Sequence, residues 1–254
     1  MNMSNVNEKS PSRLFARTVR TLVSYWENIP RLKSPVSRIA VAVLFASFCG
    51  QAARAQFYAG VLGGVATLSG DARSLLGPGS ASFSSYDPKN GAVVEALVGK
   101  HLSDSFTVQA NYIWNRNPLT LSAGSFNGIQ RGYQETRSSA QQSVVADFLV
   151  YFRKRDSRLR PYLSVGTGFV HFSSSQKQIE QRFGNLALPP QHFSSNMIAL
   201  HVPVGMDVRV GKGWAFRYTF SETLSRNPIS DRLLPPGQHR LMNFQNLFGF
   251  IRNF

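Results

Sequence analysis

Stretches in which apolar and polar residues alternate strictly dominate this sequence after residue 56, and there are eight of them. The clearest is FTVQANYIWN, where one parity carries Phe106, Val108, Ala110, Tyr112 and Trp114, and only Ile113 interrupts the polar parity. Successive side chains of a β-strand point to opposite faces, so this period of two predicts strands with one apolar and one polar face. No helical periodicity of useful length follows residue 56, which predicts an all-β chain.

Short and long connections alternate between these stretches. Three are tight turns, such as SDS at residues 103–105 and GKG at residues 211–213, and four are polar stretches of roughly 14–22 residues, such as residues 118–139. Transmembrane barrels have short turns on one side, long loops on the other, and strands of about 9–11 residues that cross the bilayer. The pattern predicts an eight-stranded antiparallel transmembrane up-and-down β-barrel over residues 56–254, with four long loops on one side and three short turns on the other.

Periodicity alone does not say which face of each strand is inside. A soluble barrel or sandwich has its apolar face inside, so a lipocalin-like binding barrel is an alternative. An eight-stranded barrel has a narrow interior that side chains must fill, and the aromatic-rich parity would overfill it, whereas Gly, Ser, Thr and Asn fit. We therefore expect the aromatics outside in lipid, with those near strand ends at the membrane interfaces: Tyr112, Trp114, Phe152 and Trp214.

The segment SRIAVAVLFASFCGQAARAQ has the form of a secretory signal peptide. Arg38 precedes a core of about ten apolar residues, and Ala53-Arg54-Ala55 forms a small-x-small cleavage site. We expect residues 39–55 to be the signal core and cleavage site, and cleavage to leave Gln56 as the mature start. Residues 1–38 form an N-terminal extension and basic n-region, explained by a start assigned too far upstream or by a genuinely long n-region. Cys49 is the only cysteine of the chain, so the mature protein would have no disulfide or thiol site.

The positive charge of the chain is dispersed. The net charge is +15, and 20 basic against 11 acidic residues remain after residue 55. There is no run of five basic residues and no zinc-ligand spacing, and the densest cluster, RKRDSRLR at residues 153–160, is interrupted by an aspartate. We interpret the charge as solvated or facing lipid headgroups rather than nucleic acid, and we predict no metal and no cofactor.

The final stretch, HRLMNFQNLFGFIRNF, ends in alternating aromatics, with Phe248, Phe250 and Phe254 on one parity. This ending resembles the signal read by the outer-membrane barrel assembly machinery, although Arg252 stands where an aromatic or apolar residue is usual. Together with the eight stretches and PYLSVGTGF at residues 161–169, it makes residues 56–254 resemble the small OmpA-like outer-membrane barrel family.

The resemblance is one of pattern and brings no catalytic or ligand-binding motif. It implies a barrel in the outer membrane of a Gram-negative-type bacterium, in contact with outer-membrane lipid. By default we expect a monomer, and we expect basic residues near the long loops to contact lipopolysaccharide. The sequence ends at the barrel, so we expect a barrel domain without the peptidoglycan-binding domain that some relatives carry.

Five charged residues share the parity expected to face the lumen: Glu95, Asp147, Asp207, Arg209 and Arg217. A charge in so narrow a space is costly unless it is paired, so we expect a salt-bridged and hydrogen-bonded plug. A conducting path for small solutes is the alternative.

An enzyme is a further alternative because the string HFSS occurs twice. Its His-x-Ser pairs are His171 with Ser173 and His192 with Ser194, and both pairs fall on the lipid parity near the long-loop end. The arrangement is similar to the barrel lipid A deacylases, which hydrolyse an ester with a His-Ser pair. The orienting acid is not evident, with Glu180 and Glu222 as candidates.

The long polar stretches contain segments such as SLLGPGSASFSSYDP and NLALPPQ, which favour flexible display over a rigid pocket. The expected function is a structural, permeability or surface-interaction role without catalysis.

Overall fold

Antiparallel strands make up most of the computed structural model, which describes residues 57–69, 71–77, 80–127, 129–230, 233 and 239–254. The predicted signal segment, with Ala53 and Ala55, and the N-terminal extension lie outside the described residues. No helix within these ranges is long and apolar enough to cross a membrane. The strands are β1 (Phe57–Leu68), β2 (Asp71–Gly77), β3 (Ser80–Pro88), β4 (Gly91–His101), β5 (Phe106–Asn127), β6 (Ile129–Tyr151), β7 (Leu159–Phe183), β8 (His192–Gly211), β9 (Trp214–Arg226) and β10 (Arg240–Asn253).

Eight of these strands close into a ring. Strands β4 to β10 each pair with their neighbours in sequence, and β1 joins β4 to β10, so the first and last strands of the barrel meet. The backbone N–H of Phe254 donates to the carbonyl of Phe57 at 3.0 Å and fastens this seam. The ring leaves no unpaired edge, which is the property that lets a β-sheet exist in lipid. The predicted eight-stranded antiparallel barrel is confirmed.

The strands are strongly tilted, as the register around the ring shows. We followed the paired residue from each strand to the next around the ring, beginning at Tyr58 on β1. The path returns to β1 at Leu68, ten residues further along the strand. The path runs through Tyr58, Gly99, Gln109, Asp147, Gly166, His201, Thr223, Asn243 and Leu68. A stagger of this kind accompanies a tilt of about 35–45° in closed barrels. It places side chains that are far apart in sequence on one line around the lumen.

The connections differ from the prediction in one respect. Short turns at residues 102–105, 152–158 and 212–213 lie at one end of the barrel, as expected. At the other end, however, much of the polar sequence is paired strand rather than flexible loop. Strands β5 and β6 pair continuously up to Asn127 and Ile129, and β2 and β3 form a hairpin whose second strand pairs with β5. The sequence does not distinguish these strands from loops, because the side chains on their outer faces are polar.

The barrel therefore has two sections with opposite polarity. In the belt section, next to the short turns, large apolar side chains are exposed on the outside, among them Phe57, Phe106, Phe148, Phe152, Val165, Phe169, Ile198, Phe248 and Phe250. Above it, residues 116–127, 129–142, 171–183 and 192–196 form what we call the extension, together with β2 and β3. Gln142, His171 and Asn196 are paired neighbours and mark its lower border on three adjacent strands.

The interior of the extension is largely apolar, apart from a buried ion pair between Arg137 and Glu135. The buried cluster that fills it, together with the adjoining ends of the other strands, comprises Leu68, Tyr86, Leu119, Leu121, Ala123, Tyr133, Val170, Phe172, Met197, Ala199, Ile229, Leu233 and Leu241. An apolar interior under a polar exterior is the arrangement of a β-sheet in water, whereas the belt section has an apolar exterior. Side chains alternate between the inner and outer faces through both sections. The two sections differ in which of these faces is apolar.

Glycine creates room in the belt section at Gly99. A Cβ atom at this position would overlap the ring of Tyr58, which lies inside the barrel on the neighbouring strand. We expect Gly99→Ala to lower the free energy of unfolding by about 1–3 kcal/mol, the usual cost of overpacking. Urea unfolding of the protein in lipid vesicles measures this change.

The matched control is Gly63→Ala on β1, where the nearest atom to a new Cβ would be the Val93 carbonyl oxygen at 3.9 Å. This variant should unfold like the parent. Equal stability of the two variants would show that Tyr58 does not occupy the space next to Gly99.

Candidate functional site: the lumen of the barrel

A fully buried arginine lies in the lumen of the belt section. Arg217 is on β9 between Phe216 and Tyr218, and the alternation of the strand turns it inward. Its Nε donates to Asp207 Oδ1 at 2.6 Å, and its Nη2 donates to Asp207 Oδ2 at 2.8 Å. This two-point contact is the strongest geometry that an arginine and a carboxylate form. The pair fixes β8 and β9 against each other at the centre of the lumen.

Tyrosines surround this ion pair. The Tyr151 hydroxyl donates to Asp207 Oδ2 at 2.8 Å and accepts from Arg217 Nη2 at 2.7 Å. The guanidinium carbon of Arg217 also lies 5.2 Å from the ring centre of Tyr58 and 5.0 Å from that of Tyr162. Cation–π contacts and hydrogen bonds together compensate for the loss of water around the buried charge.

A chain of hydrogen bonds continues across the lumen to a second ionisable pair. Gln109 Oε1 accepts from both Arg217 Nη1 and the Tyr58 hydroxyl, each at 2.6 Å. Gln109 Nε2 donates to Asn111 Oδ1 at 2.5 Å, and Asn111 Nδ2 donates to Asp147 Oδ2 at 2.5 Å. His201 Nδ1 lies 2.9 Å from the same Asp147 oxygen. Side chains from strands on different sides of the ring are thus joined into one network.

The lumen residues predicted from parity are placed as follows. Glu95, Asp147, Asp207 and Arg217 are buried in the lumen, between 0% and 4% exposed. Arg209 is a correction, because it is exposed at the lower end of β8, where its guanidinium donates to the backbone carbonyl of Arg155. Arg209 has the inward parity of β8, but it lies beyond the lower end of the lumen. The register of β8 with β9 also shifts here, between Arg209 and Gly211.

Charge alone was too narrow a criterion for the lumen network. The uncharged members Tyr58, Gln109, Asn111 and Tyr151 carry its hydrogen bonds and were not predicted as members. They share the inward parity of their strands, which is the signal that could have found them. Their mutual contacts depend on the stagger of the ring, which the sequence does not display.

A second polar level lies above the first. Asn243 Nδ2 donates to Gln141 Oε1 at 2.6 Å and to Asn115 Oδ1 at 3.1 Å, and all three residues are buried. Asn117 Nδ2 donates to the carbonyl of Ala66 at 2.9 Å. Amide side chains from three strands, β5, β6 and β10, therefore fill the lumen between the charged network and the apolar cluster of the extension.

The connections between the long strands contribute to the extension. Ile229 and Leu233, in the connection from β9 to β10, are buried in the apolar cluster. Arg137 forms a buried ion pair with Glu135 at 2.7 Å, and its Nη2 donates to the carbonyls of Pro190 and Gln191 at 2.8 and 3.1 Å. This arginine fastens the connection between β7 and β8 to the wall of the barrel.

The two His-x-Ser pairs are arranged differently from the prediction. His171 Nδ1 lies 2.6 Å from Asn196 Oδ1, and His192 Nδ1 lies 2.7 Å from Ser175 Oγ. Each histidine thus contacts the neighbouring strand, and Ser173 and Ser194 face each other across the same strand pair. Directly opposed cross-strand residues approach more closely than residues i and i+2 of one strand, which explains the difference.

The acids suggested for such a site have other surroundings. Glu180 accepts hydrogen bonds from Thr136 and from Gln134, and these bonds lower the pKa of its carboxyl group. Glu222 pairs with Val202 and Phe244 on its neighbouring strands. Among the described residues, no group of three or more His, Cys, Asp or Glu side chains is arranged to hold a metal ion.

The last strand presents its aromatics to the outside. Phe248, Phe250 and Phe254 are each more than half exposed on the belt. The guanidinium of Arg252 lies 5.6 Å from the ring centre of Trp214 and 5.4 Å from that of Phe254. Recognition of this strand by an assembly machinery stays a prediction.

Several solved outer-membrane proteins have a similar fold. Neisserial surface protein A is 14% identical with a TM-score of 0.47, covering 78% of this chain and 97% of that chain. Outer membrane protein OprG from Pseudomonas aeruginosa is 12% identical with a TM-score of 0.44, covering 79% of this chain and 96% of that one. The N-terminal β-barrel domain of Pseudomonas aeruginosa OprF is 10% identical with a TM-score of 0.40, covering 79% and 100%.

No protein-family model matches the chain, and no curated protein is similar to it in sequence. At these identities and TM-scores the solved structures carry no conclusion about function. The fold rests on the strand pairing of the chain itself.

Proposed function

We propose that this chain is an outer-membrane β-barrel protein of a Gram-negative-type bacterium, of the small OmpA-like kind, that serves as a closed scaffold for surface interactions. The observation that carries this proposal is the reversal of polarity between the belt section and the extension. An exterior with exposed Phe148, Val165, Phe169 and Ile198 requires lipid, because an apolar belt of this size would aggregate in water. The polar exterior above it suits the aqueous side of the membrane.

The filled lumen favours a scaffold over an open pore. Arg217 is bound by side chains from β5, β6 and β8, so a continuous path through the belt section would require these contacts to separate. Separation would leave a charged group without partners in a space that excludes water, which is costly. A conducting state would therefore be rare.

The extension is the part proposed to meet partners. Strands β5 to β8 contain 20 to 25 residues each, about twice the number that crosses a bilayer. Their upper parts have their own apolar interior, so they would present a fixed surface rather than mobile loops. Lipopolysaccharide next to the barrel and molecules outside the cell are the proposed partners, and the barrel is proposed to act as a monomer.

Catalysis is not part of the proposal. The histidines of the HFSS strings lie within hydrogen-bond distance of Asn196 and Ser175 on the neighbouring strand, and Glu180 accepts hydrogen bonds from Thr136 and Gln134. A loss of acyl chains from lipid A in cells that express the protein, detected by mass spectrometry, would contradict this part of the proposal.

Gel mobility and conductance test the proposal together. We expect the protein extracted from outer membranes to migrate differently on SDS gels before and after boiling, as closed barrels often do. In planar bilayers we expect no lasting open-channel conductance, since the lumen is filled. A trimeric porin in the same bilayers is the positive control.

Two results would contradict the proposal. A steady conductance from the purified barrel would show that it is a pore and not a closed scaffold. A soluble protein without a heat shift would contradict the membrane location and favour a lipocalin-like binding barrel.

A further inference from the structure

A cavity opens at the short-turn end of the barrel. It has a volume of about 720 Å³ and lies between the β6–β7 turn, the β8–β9 turn and the lower ends of β7, β8 and β9. Five of its lining residues are basic: Arg155, Arg158, Arg160, Arg209 and Lys212. We call this cavity the basic mouth. It adjoins the lower end of the lumen network, because Asp207 lines it and Arg160 lies against the ring of Tyr151.

The basic mouth carries more positive than negative charge, with five cations against Asp207 in its lining. The ion pairs among the described residues include none of the five cations. Asp207 is the acidic residue in the lining, and both of its oxygens are bound to Arg217 and Tyr151. Like charges gathered in one concavity repel each other and raise the local concentration of anions. The cluster therefore reduces stability unless an anion occupies it.

Arg160 gives the basic mouth a prepared donor. This residue is 8% exposed, its guanidinium carbon lies 3.8 Å from the ring centre of Tyr151, and its Nη2 donates to the Asp104 carbonyl at 2.9 Å. Its Nε is buried and has no hydrogen-bond partner among the described residues. A buried donor without a hydrogen-bond partner lowers the stability of the fold, and an acceptor on a ligand would remove this cost. Stacking and the single hydrogen bond hold the guanidinium in place before any ligand arrives.

A second guanidinium is positioned by the backbone of the turn. Arg209 donates from Nη2 to the Arg155 carbonyl, and its backbone N–H donates to the Arg158 carbonyl at 2.8 Å. The β6–β7 turn is thereby attached to β8, and its arginines are gathered at one opening. Planar guanidinium groups donate several hydrogen bonds in a fixed fork, which matches the oxygens of a phosphate group.

We propose that the basic mouth binds a phosphate-bearing anion. The phosphate would accept hydrogen bonds from Arg160 at the inner wall and from the exposed cations around the opening. Two sources share this chemistry, namely a free phosphate compound and the headgroup of an anionic phospholipid in the adjoining leaflet. A lipid source fits the position of Trp214 and Val210, which line the same cavity and are 45% and 58% exposed. The headgroup would then contact the basic residues, and the acyl chain would contact the apolar surface beside them.

Binding is tested on the membrane-extracted protein in a maltoside detergent, which carries no phosphate. Calorimetry with inorganic pyrophosphate at low ionic strength measures the affinity, and native mass spectrometry detects a retained phospholipid. The test variant is Arg158→Gln/Lys212→Gln, which removes two cations from the cavity. The control is Arg153→Gln/Lys154→Gln, which removes two exposed cations of the same turn that do not line it.

We expect the test variant to bind pyrophosphate about 25-fold more weakly than the parent, since each of the two removed charges contributes about fivefold even in water. The control should change the affinity by less than about twofold. Phosphatidylglycerol that remains on the parent, and is displaced by pyrophosphate, would identify a lipid headgroup as the source. Pyrophosphate binding without retained lipid would identify a free anion.

The proposal is overturned if the parent binds no pyrophosphate at low ionic strength. It is equally overturned if the control loses as much affinity as the test variant, because the attraction would then belong to the overall charge. A normal heat shift on gels shows that each variant has kept its barrel, so a loss of binding can be assigned to the cavity.

Discussion

Replacing Arg217 with methionine should lower the free energy of unfolding of the barrel by about 3–5 kcal/mol, the cost of leaving one member of a buried ion pair alone. The substitution removes the hydrogen bonds to Asp207, Gln109 and Tyr151 and leaves the Asp207 carboxylate without its cation. Urea unfolding of the protein in lipid vesicles, followed by tryptophan fluorescence, measures the change.

The control for this experiment is Arg153→Met in the β6–β7 turn. Its side chain is exposed, so removal of the same charge should change the free energy of unfolding by less than about 0.5 kcal/mol. The double variant Arg217→Met/Asp207→Asn should recover part of the loss, because it removes the isolated charge. If Arg217→Met were as stable as Arg153→Met, Arg217 would not be buried in the network.

Introducing a charge on the outside of the belt should also be strongly destabilising. Val165 is 53% exposed on β7 and pairs with Phe148, in the middle part of the belt. An arginine facing lipid near the middle of a bilayer costs about 2–4 kcal/mol, so we expect Val165→Arg to lower the free energy of unfolding in vesicles by that amount. The same urea titration provides the measurement.

Ile179→Arg offers a matched control on the same strand. Ile179 is 40% exposed in the extension, where the surroundings are proposed to be water. A surface substitution in water usually changes stability by less than about 0.5 kcal/mol. Equal effects of the two substitutions would mean that the belt is not in contact with lipid, and the reversal of polarity would then need another explanation.

Alternation of side chains made the belt section predictable from the sequence. On β9, Trp214 and Phe220 are exposed and Arg217 and Thr219 are buried, as their parity predicts. The prediction works because strand geometry is local, and each residue takes the face opposite to that of its neighbour. Ile113 appeared to break the pattern, yet it is fully buried, with 0% exposure.

The same reasoning failed where it used polarity to identify loops. The polar side chains that dominate residues 118–139 predict a loop, although Leu119, Leu121 and Tyr133 face an apolar interior. A strand in water with one buried face contains about half polar residues, so composition alone does not distinguish it from a loop. Pairing with β6 and β3 stabilises this part of β5, and pairing is not a property of one segment.

The sequence by itself determined the eight strands of the ring, their order around the barrel and the alternation of side chains between the two faces in the belt section, because these follow from local alternation and from short turns. Only the tertiary structure decided which inward residues meet. The stagger of the ring brings Gln109, Asp147 and His201 onto one line, and it gathers the arginines of the β6–β7 turn beside the end of β8. Such contacts depend on the register between strands, which is set by the closure of the whole ring and not by any single stretch of the chain.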